Sequence, residues 1–297
     1  MFHTHLNRFA GVLLAGLVAG LSGQAAAGSG TKPFDGTARV VAIGGSITEI
    51  VYALGEEDRL VARDSTGVYP PEAQALPDVG YMRALSPEGV LSVNPDAILA
   101  LEGSGPAEAV DVLEKSSVPI VLVPERFDAN GIMEKIAIVG AALNVPEKAA
   151  GLSAEVEREL AAAQALTASI EDRKRVLFIL SMQGGRIMGS GRDTAADGII
   201  KMAGGQNAIT SFSGYKQLSE EAVAEADPEV ILMMDRGGDH GIADRELFAH
   251  PAIAPTKAAR DKAIVRMDGS YLIGFGPRTA GAVRELATAL YGSLAAN

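Results

Sequence analysis

The sequence predicts an α/β fold of two lobes, each built on a central parallel sheet, joined by one long α-helix. Three observations predict it. Short, continuously apolar runs alternate with helix-length segments, the pattern of strands buried on both faces of a parallel sheet. Leu85-Ser86-Pro87-Glu88-Gly89-Val90, ending in Pro95-Asp96-Ala97-Ile98-Leu99, is echoed by Leu218-Ser219-Glu220-Glu221-Ala222-Val223, ending in Pro228-Glu229-Val230-Ile231-Leu232, at a constant offset of 133 residues without a gap. Between the two copies, Pro146 to Ile170 is rich in Ala, Glu and Leu, with no Gly after Gly151. Such residues lose little rotamer freedom in a helix. A duplicated lobe with a helical connector accounts for all three.

Residues 1–27 have the pattern of a secretory signal peptide: Arg8 is the positive region, Phe9 to Leu21 is apolar, and Ala25-Ala26-Ala27 offers a cleavage site near Ala27. The apolar run is too short to span a bilayer, so no membrane insertion is expected after cleavage. The N-terminal lobe covers 28–145. In it Arg39 to Gly44 is a strand, and Ile47 to Leu54 is an amphipathic helix whose Ser46 and Glu49 stand at capping-box spacing. Ala97 to Leu101 and Pro119 to Val123 are further strands. The linking helix occupies 146–172 and the C-terminal lobe 173–297. There, strands are expected at Arg175 to Leu180, Glu229 to Met234 and Ala263 to Met267, with helices over Asp193 to Met202 and from Pro277 to Gly292. A looser echo pairs Val40 with Val176, and Ile50 to Gly55 with Ile199 to Gly204. Two such lobes leave a cleft between them, where small ligands bind.

Charge and composition narrow the function. Removing residues 1–27 takes away one base and no acid, so the mature formal charge is 25 − 37 = −12. That surface disfavours nucleic acid and anionic membranes as partners. The chain has no Cys, hence no lipid-anchored Cys and no disulfides. Gly-x-Ser-x-Gly, Walker and His-Glu-x-x-His motifs are absent. Gly44-Gly45-Ser46 lacks the third spaced glycine of a dinucleotide fingerprint. The mature chain keeps only His240 and His250, too few for a zinc site of the usual kind.

Gly80-Tyr81-Met82-Arg83 lies between the Tyr69-Pro70-Pro71 loop and the helix expected near Ser86. Loops at strand tips carry binding residues. A guanidinium close to a phenol favours the phenolate, a hard anionic ligand that suits Fe(III); Tyr is also an axial haem ligand. Taken alone, Tyr-x-Arg is common, and a packing or surface tyrosine is its ordinary explanation.

Longer stretches add a resemblance. Ala42-Ile43-Gly44-Gly45-Ser46-Ile47-Thr48-Glu49-Ile50-Val51-Tyr52-Ala53-Leu54-Gly55, Arg63-Asp64-Ser65-Thr66, Gly80 to Ser86, Ser181-Met182-Gln183-Gly184-Gly185 and Gly191 to Asp197 resemble, in order, the periplasmic haem-binding proteins that feed bacterial haem ABC importers. The resemblance covers essentially the whole mature chain. It implies two Rossmann-like lobes bridged by one helix, a periplasmic location and no enzymatic activity. It implies that Tyr81 is the axial iron ligand and Arg83 its support, with Tyr69 in the neighbouring loop as the rival oxygen ligand. Where some relatives use a His in the second lobe to hold a second haem, this chain has Gln183, a poor iron ligand. Met182 and Met188 flank that position and suit packing around a flat apolar ring better than ligation. One haem b per chain is therefore expected, bound by a monomer. Arg236, after the Glu229 to Met234 strand, is a candidate partner for a haem propionate. Glu88 and Glu221 match the acidic residues, one per lobe, that dock on the dimeric permease. A cobalamin or ferric-siderophore receptor on the same scaffold is the alternative, with an extracytoplasmic metal-dependent hydrolase as the rival from another class.

Overall fold

The computed structural model describes residues 32–235 and 242–292; the expected signal peptide, Arg236 and His240 lie outside the described residues. In the first lobe β1 (Val40–Ile43), α1 (Gly45–Ala53), β2 (Leu60–Arg63), α2 (Pro87–Leu91), β3 (Ala97–Leu101), α3 (Ala107–Glu114), β4 (Ile120–Val123) and α4 (Ala129–Ala142) follow one another. The strands pair in parallel in the order β2-β1-β3-β4. Every residue of β1 and β3 is buried, because helices cover both faces of the sheet.

α5 (Pro146–Ala165) leads out of this lobe, with Pro146 in its first turn, where no helical N–H is lost. It ends before Ile170. The N–H groups of Leu166, Thr167, Ala168 and Ile170 reach back three residues instead of four, the tightening that closes a helix C-terminus.

The second lobe contains β5 (Arg175–Gln183), β6 (Arg186–Ser190), α6 (Ala195–Met202), β7 (Gln206–Asn207), β8 (Tyr215–Leu218), α7 (Glu220–Ala226), β9 (Val230–Asp235), α8 (Asp244–Ala249), α9 (Lys257–Asp261), β10 (Ile264–Asp268), α10 (Gly269–Ile273) and α11 (Thr279–Tyr291). Its sheet runs β10-β9-β5-β6-β8, with β7 beside β5. β10, β9 and β5 are parallel, whereas β6 and β8 are antiparallel additions. The expected parallel core is thus present and the sheet as a whole is mixed. The cause is local: Gly184 and Gly185 both take positive φ (56° and 72°), so the chain after β5 turns back as a hairpin instead of crossing over.

The internal echo is visible in the geometry. Ile98 pairs with Ile120, and Ile231, its counterpart in the repeat, pairs with Ile264. Ser86 accepts from the Gly89 N–H to cap α2, and Ser219 accepts from the Ala222 N–H to cap α7. Asn94 and Asp227, again equivalent, both take the left-handed conformation (φ 48° and 35°) that Asn and Asp tolerate best among residues with a side chain.

One local expectation fails. Ser46 and Glu49 form no capping box, because α1 starts at Gly45 and Gly44 is its cap residue. Ser46 instead accepts from Lys135 within the first lobe, and Glu49 is gripped by Arg278 across the lobe boundary.

Candidate functional site

A cavity of about 480 Å³ opens between the lobes, within the usual range for a small-molecule site. Its walls are the segments that follow the C-terminal ends of parallel strands: Gly45 and Ser46 after β1, Ser65 and Thr66 after β2, Glu102 after β3, Glu125 and Phe127 after β4, and Asp268, Gly269, Ser270, Ile273 and Gly274 at the end of β10. Ligands bind there in open α/β sheets. Tyr81, Met82 and Arg83 line the first-lobe wall, and Tyr215, Met234 and Ala195 face them from the second. Tyr81 is 48% exposed, an unusual state for a large aromatic side chain and one that leaves its ring open to a ligand.

The Tyr81 loop is held from behind. Gly80 has φ 100°, a conformation that glycine adopts without strain, and it places Tyr81 at the turn. The Gly80 carbonyl accepts from the Ser65 N–H (2.9 Å), the Met82 carbonyl from the Gly105 N–H (2.8 Å). The buried Arg63 guanidinium bridges the Asp64 carbonyl and the Asp78 carboxylate, both at 3.0 Å.

Two charged side chains, each with an ion-pair partner, reach across the lobe boundary. Lys135 on α4 is fully buried, and its ammonium donates to Glu125 Oε1 (2.7 Å), to Ser46 Oγ (3.1 Å) and across the lobe boundary to the Phe275 carbonyl (3.0 Å). Desolvation pulls the Lys135 ammonium below its usual value and pushes Glu125 above its own, each only partly opposed by the other's charge. That is the behaviour of a pair whose desolvation outweighs its mutual attraction. Arg278, at the start of α11, grips both oxygens of Glu49 on α1, with Nε to Oε2 at 3.1 Å. Burial raises Glu49 even so, while the hydrogen bond to Glu49 holds Arg278 above its ordinary value against its own desolvation. The same guanidinium lies 3.7 Å from the centre of the Tyr69 ring, a cation–π contact. Phe127 meets Phe275 edge to face at 5.3 Å between ring centres.

The family model for periplasmic binding proteins matches residues 40–271, most of the chain. The chain belongs to the periplasmic binding protein family. Among solved structures it is similar to the periplasmic heme-binding protein BhuT in complex with two hemes: 38% identity, TM-score 0.81, 86% of this chain and 99% of that one covered. Among sequences it is 26% identical over 256 residues to YvrC of Bacillus subtilis, an uncharacterized ABC transporter substrate-binding lipoprotein (85% of this chain, 80% of that one). It is 23% identical over 257 residues to the vitamin B12-binding protein of Pectobacterium atrosepticum (85% and 88%).

In this member of the family Tyr81 and Arg83 both line the cavity wall, and the other expected residues among those described fall elsewhere. Tyr69 is spent on Arg278 and is not among the residues lining the cavity. Met182 lines a smaller depression beside Gly184, Gly185 and His250, while Gln183 and Met188 line neither. His250 receives the Ala252 N–H at Nδ1 (3.2 Å), so it is Nε2 that donates to the Gly185 carbonyl (2.9 Å). It staples the β5–β6 hairpin to the segment after α8, and no group of three or more His, Cys, Asp or Glu able to hold a metal occurs among the described residues. Glu88 and Glu221 are exposed at equivalent helix starts. Hydrogen bonds lower both carboxyls, from the Ser86 hydroxyl first for Glu88 and from its own backbone N–H first for Glu221. Among the described residues no helix is long and apolar enough to cross a membrane. Sequence reasoning missed Glu49, Glu125, Lys135, Tyr215 and Arg278. Only Tyr215 and the two glutamates line the cavity, and no local pattern marks any of the five.

Proposed function

We propose that this chain is the exported substrate-binding component of an ABC importer and that its cargo is haem. The observation that carries this is that Tyr81 and Arg83, two residues apart in the sequence, both line the interlobe cavity at the strand tips, with Tyr81 open to a ligand. The Tyr81 oxygen binds Fe(III) and gives up its proton to solvent. The Arg83 guanidinium balances the resulting negative charge. Met82, Phe127, Met234 and Ile273 supply apolar surface to the porphyrin face, whose burial contributes most of the affinity. Arg236 remains our candidate for a propionate. Gln183, Met182 and Met188 stand away from the cavity wall, which supports one haem b per monomeric chain, held without a second protein ligand from that hairpin.

The working division is a signal peptide over 1–27, lobes over 28–145 and 173–297, and a connector over 146–172. Glu88 and Glu221 are the docking points for the permease dimer, one on each lobe, kept ionised by their helix-start hydrogen bonds. The kinship with a vitamin B12-binding protein supports cobalamin as the second reading.

Titration of the mature protein with hemin, and in parallel with cyanocobalamin, tests the proposal. Saturation near one hemin per chain, with a Soret and charge-transfer spectrum abolished or shifted by Tyr81→Ala, is the expected result. Saturable cobalamin binding without hemin binding would overturn it.

A further inference from the structure

Asp64 is a fully buried carboxylate at the end of β2, and the haem reading gives it no role. Its surroundings are unusual for an acid at a strand tip. Oδ1 accepts from the Gly44 N–H at 2.9 Å and from Thr66 Oγ1 at 2.8 Å. Oδ2 accepts from the Thr66 N–H at 3.1 Å and from the Met82 N–H at 3.2 Å. The donors come from three segments that are far apart in sequence: the β1–α1 junction, the 64–68 loop and the 80–85 loop. Thr66 extends the network, since its Oγ1 also receives the Gly45 N–H at 2.8 Å. Of the residues at the ends of these bonds, Gly45, Thr66 and Met82 line the cavity, and Tyr81 is bonded directly to Met82.

We propose that Asp64 is the positioning residue for the cavity's tyrosine: its carboxylate gathers three loops into one cradle and fixes the height and direction at which Tyr81 meets the ligand. The inference rests on the haem reading for the ligand, while the cradle itself does not depend on which ligand enters. Hydrogen bonds to an ionised acceptor are the stronger kind, and a ligand atom must be held within a fraction of an ångström to bind well. The geometry also explains why an acid is needed. An amide has one accepting oxygen, so in Asp64→Asn either orientation of the side chain would turn its NH2 toward a backbone N–H. One orientation breaks the bond to Gly44 and the other breaks the bond to Met82.

The test compares wild type with Asp64→Asn, using the full mature chain. Amide hydrogen exchange of the peptide covering 78–85 reads the position of the loop without any ligand. Hemin titration and the tyrosinate–iron charge-transfer band read the consequence. We expect faster exchange in 78–85 with the slow core amides unchanged, hemin affinity lower by about 10-fold or more, and a shifted charge-transfer band. A merely structural role would lower stability and leave the spectrum of the bound form as it was, and that result overturns the proposal. So does wild-type exchange in 78–85. If wild type takes up no hemin, the haem reading falls, and the exchange comparison alone still decides the role of Asp64. Should Asp64→Asn fail to fold, Thr66→Val removes one donor to the carboxylate and the acceptor of Gly45. It is expected to move exchange and spectrum in the same direction by a smaller amount, and no change in either would overturn the proposal.

Discussion

Replacing Lys135 by Met tests the buried ion pair at the lobe boundary. Methionine keeps an unbranched stem of similar length, so the packing penalty is small. What disappears is one ammonium and its three contacts, at 2.7, 3.1 and 3.0 Å. The Glu125 carboxylate then faces a thioether in a site where it already ionises with difficulty. Removing one partner of a buried ion pair costs about 3–5 kcal/mol. The Glu125 side chain keeps 16% of its exposure, so water reaches it, and we place the cost near the lower end, about 3 kcal/mol. At about 2–4 °C per kcal/mol for a chain of this size, Tm falls by roughly 6–12 °C. Urea and thermal unfolding at pH 7 measure both quantities. Adding Glu125→Gln to Lys135→Met removes the orphaned charge and should recover part of the loss. A single variant within about 1 kcal/mol of wild type would refute the reasoning, because it would mean the pair is worth no more than an exposed one.

The same variant has a predicted pH dependence. Burial raises the Glu125 carboxyl above 4.5, and Lys135 is the first of the influences that hold it down. Deleting Lys135 therefore raises it further. A carboxyl that binds its proton more tightly in the folded state contributes stability that is complete below 4.5 and is lost as pH climbs through the raised folded value. The deficit of Lys135→Met should accordingly be smaller at pH 4 than at pH 7. A deficit that grows on acidification would contradict the assignment of Glu125 as the orphaned group.

Two further substitutions probe separate features. Thr48 Oγ1 is a buried hydroxyl with no hydrogen-bond partner among the described residues, and Thr48→Val should raise stability by about 1 kcal/mol, seen as a higher urea midpoint at unchanged slope; a lower midpoint would show that the hydroxyl is satisfied after all. Glu88→Gln combined with Glu221→Gln should leave hemin titration unchanged and slow association with the permease, with a weaker dependence on ionic strength; association kinetics at two salt concentrations check this, and unaltered kinetics would remove both residues from the docking surface.

What the sequence reveals and what it hides divide along the distance over which each interaction acts. Six of the strands were legible, β1 and β3 most plainly because burial on both faces forces unbroken apolar runs, whereas β2 and the short or polar β6, β7 and β8 were not anticipated. The duplication was legible from the matched runs around Ser86 and Ser219, which cap equivalent helices, and the structure adds Asn94 and Asp227 as a further equivalent pair. Tyr81 could be placed at a strand tip from the Gly and Pro around it. Glu49 could not be assigned, since its partner is 229 residues away and exists only once the lobes have docked. A capping rule that is sound for isolated helix ends therefore gave it to Ser46, whose hydroxyl instead receives Lys135. Asp64 lay in between: Arg63-Asp64-Ser65-Thr66 stood out as a motif, but its meaning depends on loops from three places meeting at one carboxylate.

These long-range pairs bear on how the cleft works. α5 packs against α4 of the first lobe and against α11 of the second, so the connector is fastened at both ends. Lys135 reaches from α4 to the Phe275 carbonyl, and Arg278 reaches from α11 back to Glu49 on α1. Of the two, only Glu49–Arg278 is a desolvated ion pair across the boundary; Lys135 keeps Glu125 as its partner within the first lobe and crosses only to a backbone carbonyl. A cavity held this way is largely formed before its ligand arrives. Binding then orders little of the protein, and the affinity lost to such ordering is correspondingly small. Opening the cleft for release would part these same contacts. On the docking role proposed for them, Glu88 and Glu221, exposed at equivalent helix starts of the two lobes, are the points at which a partner gripping both lobes would act.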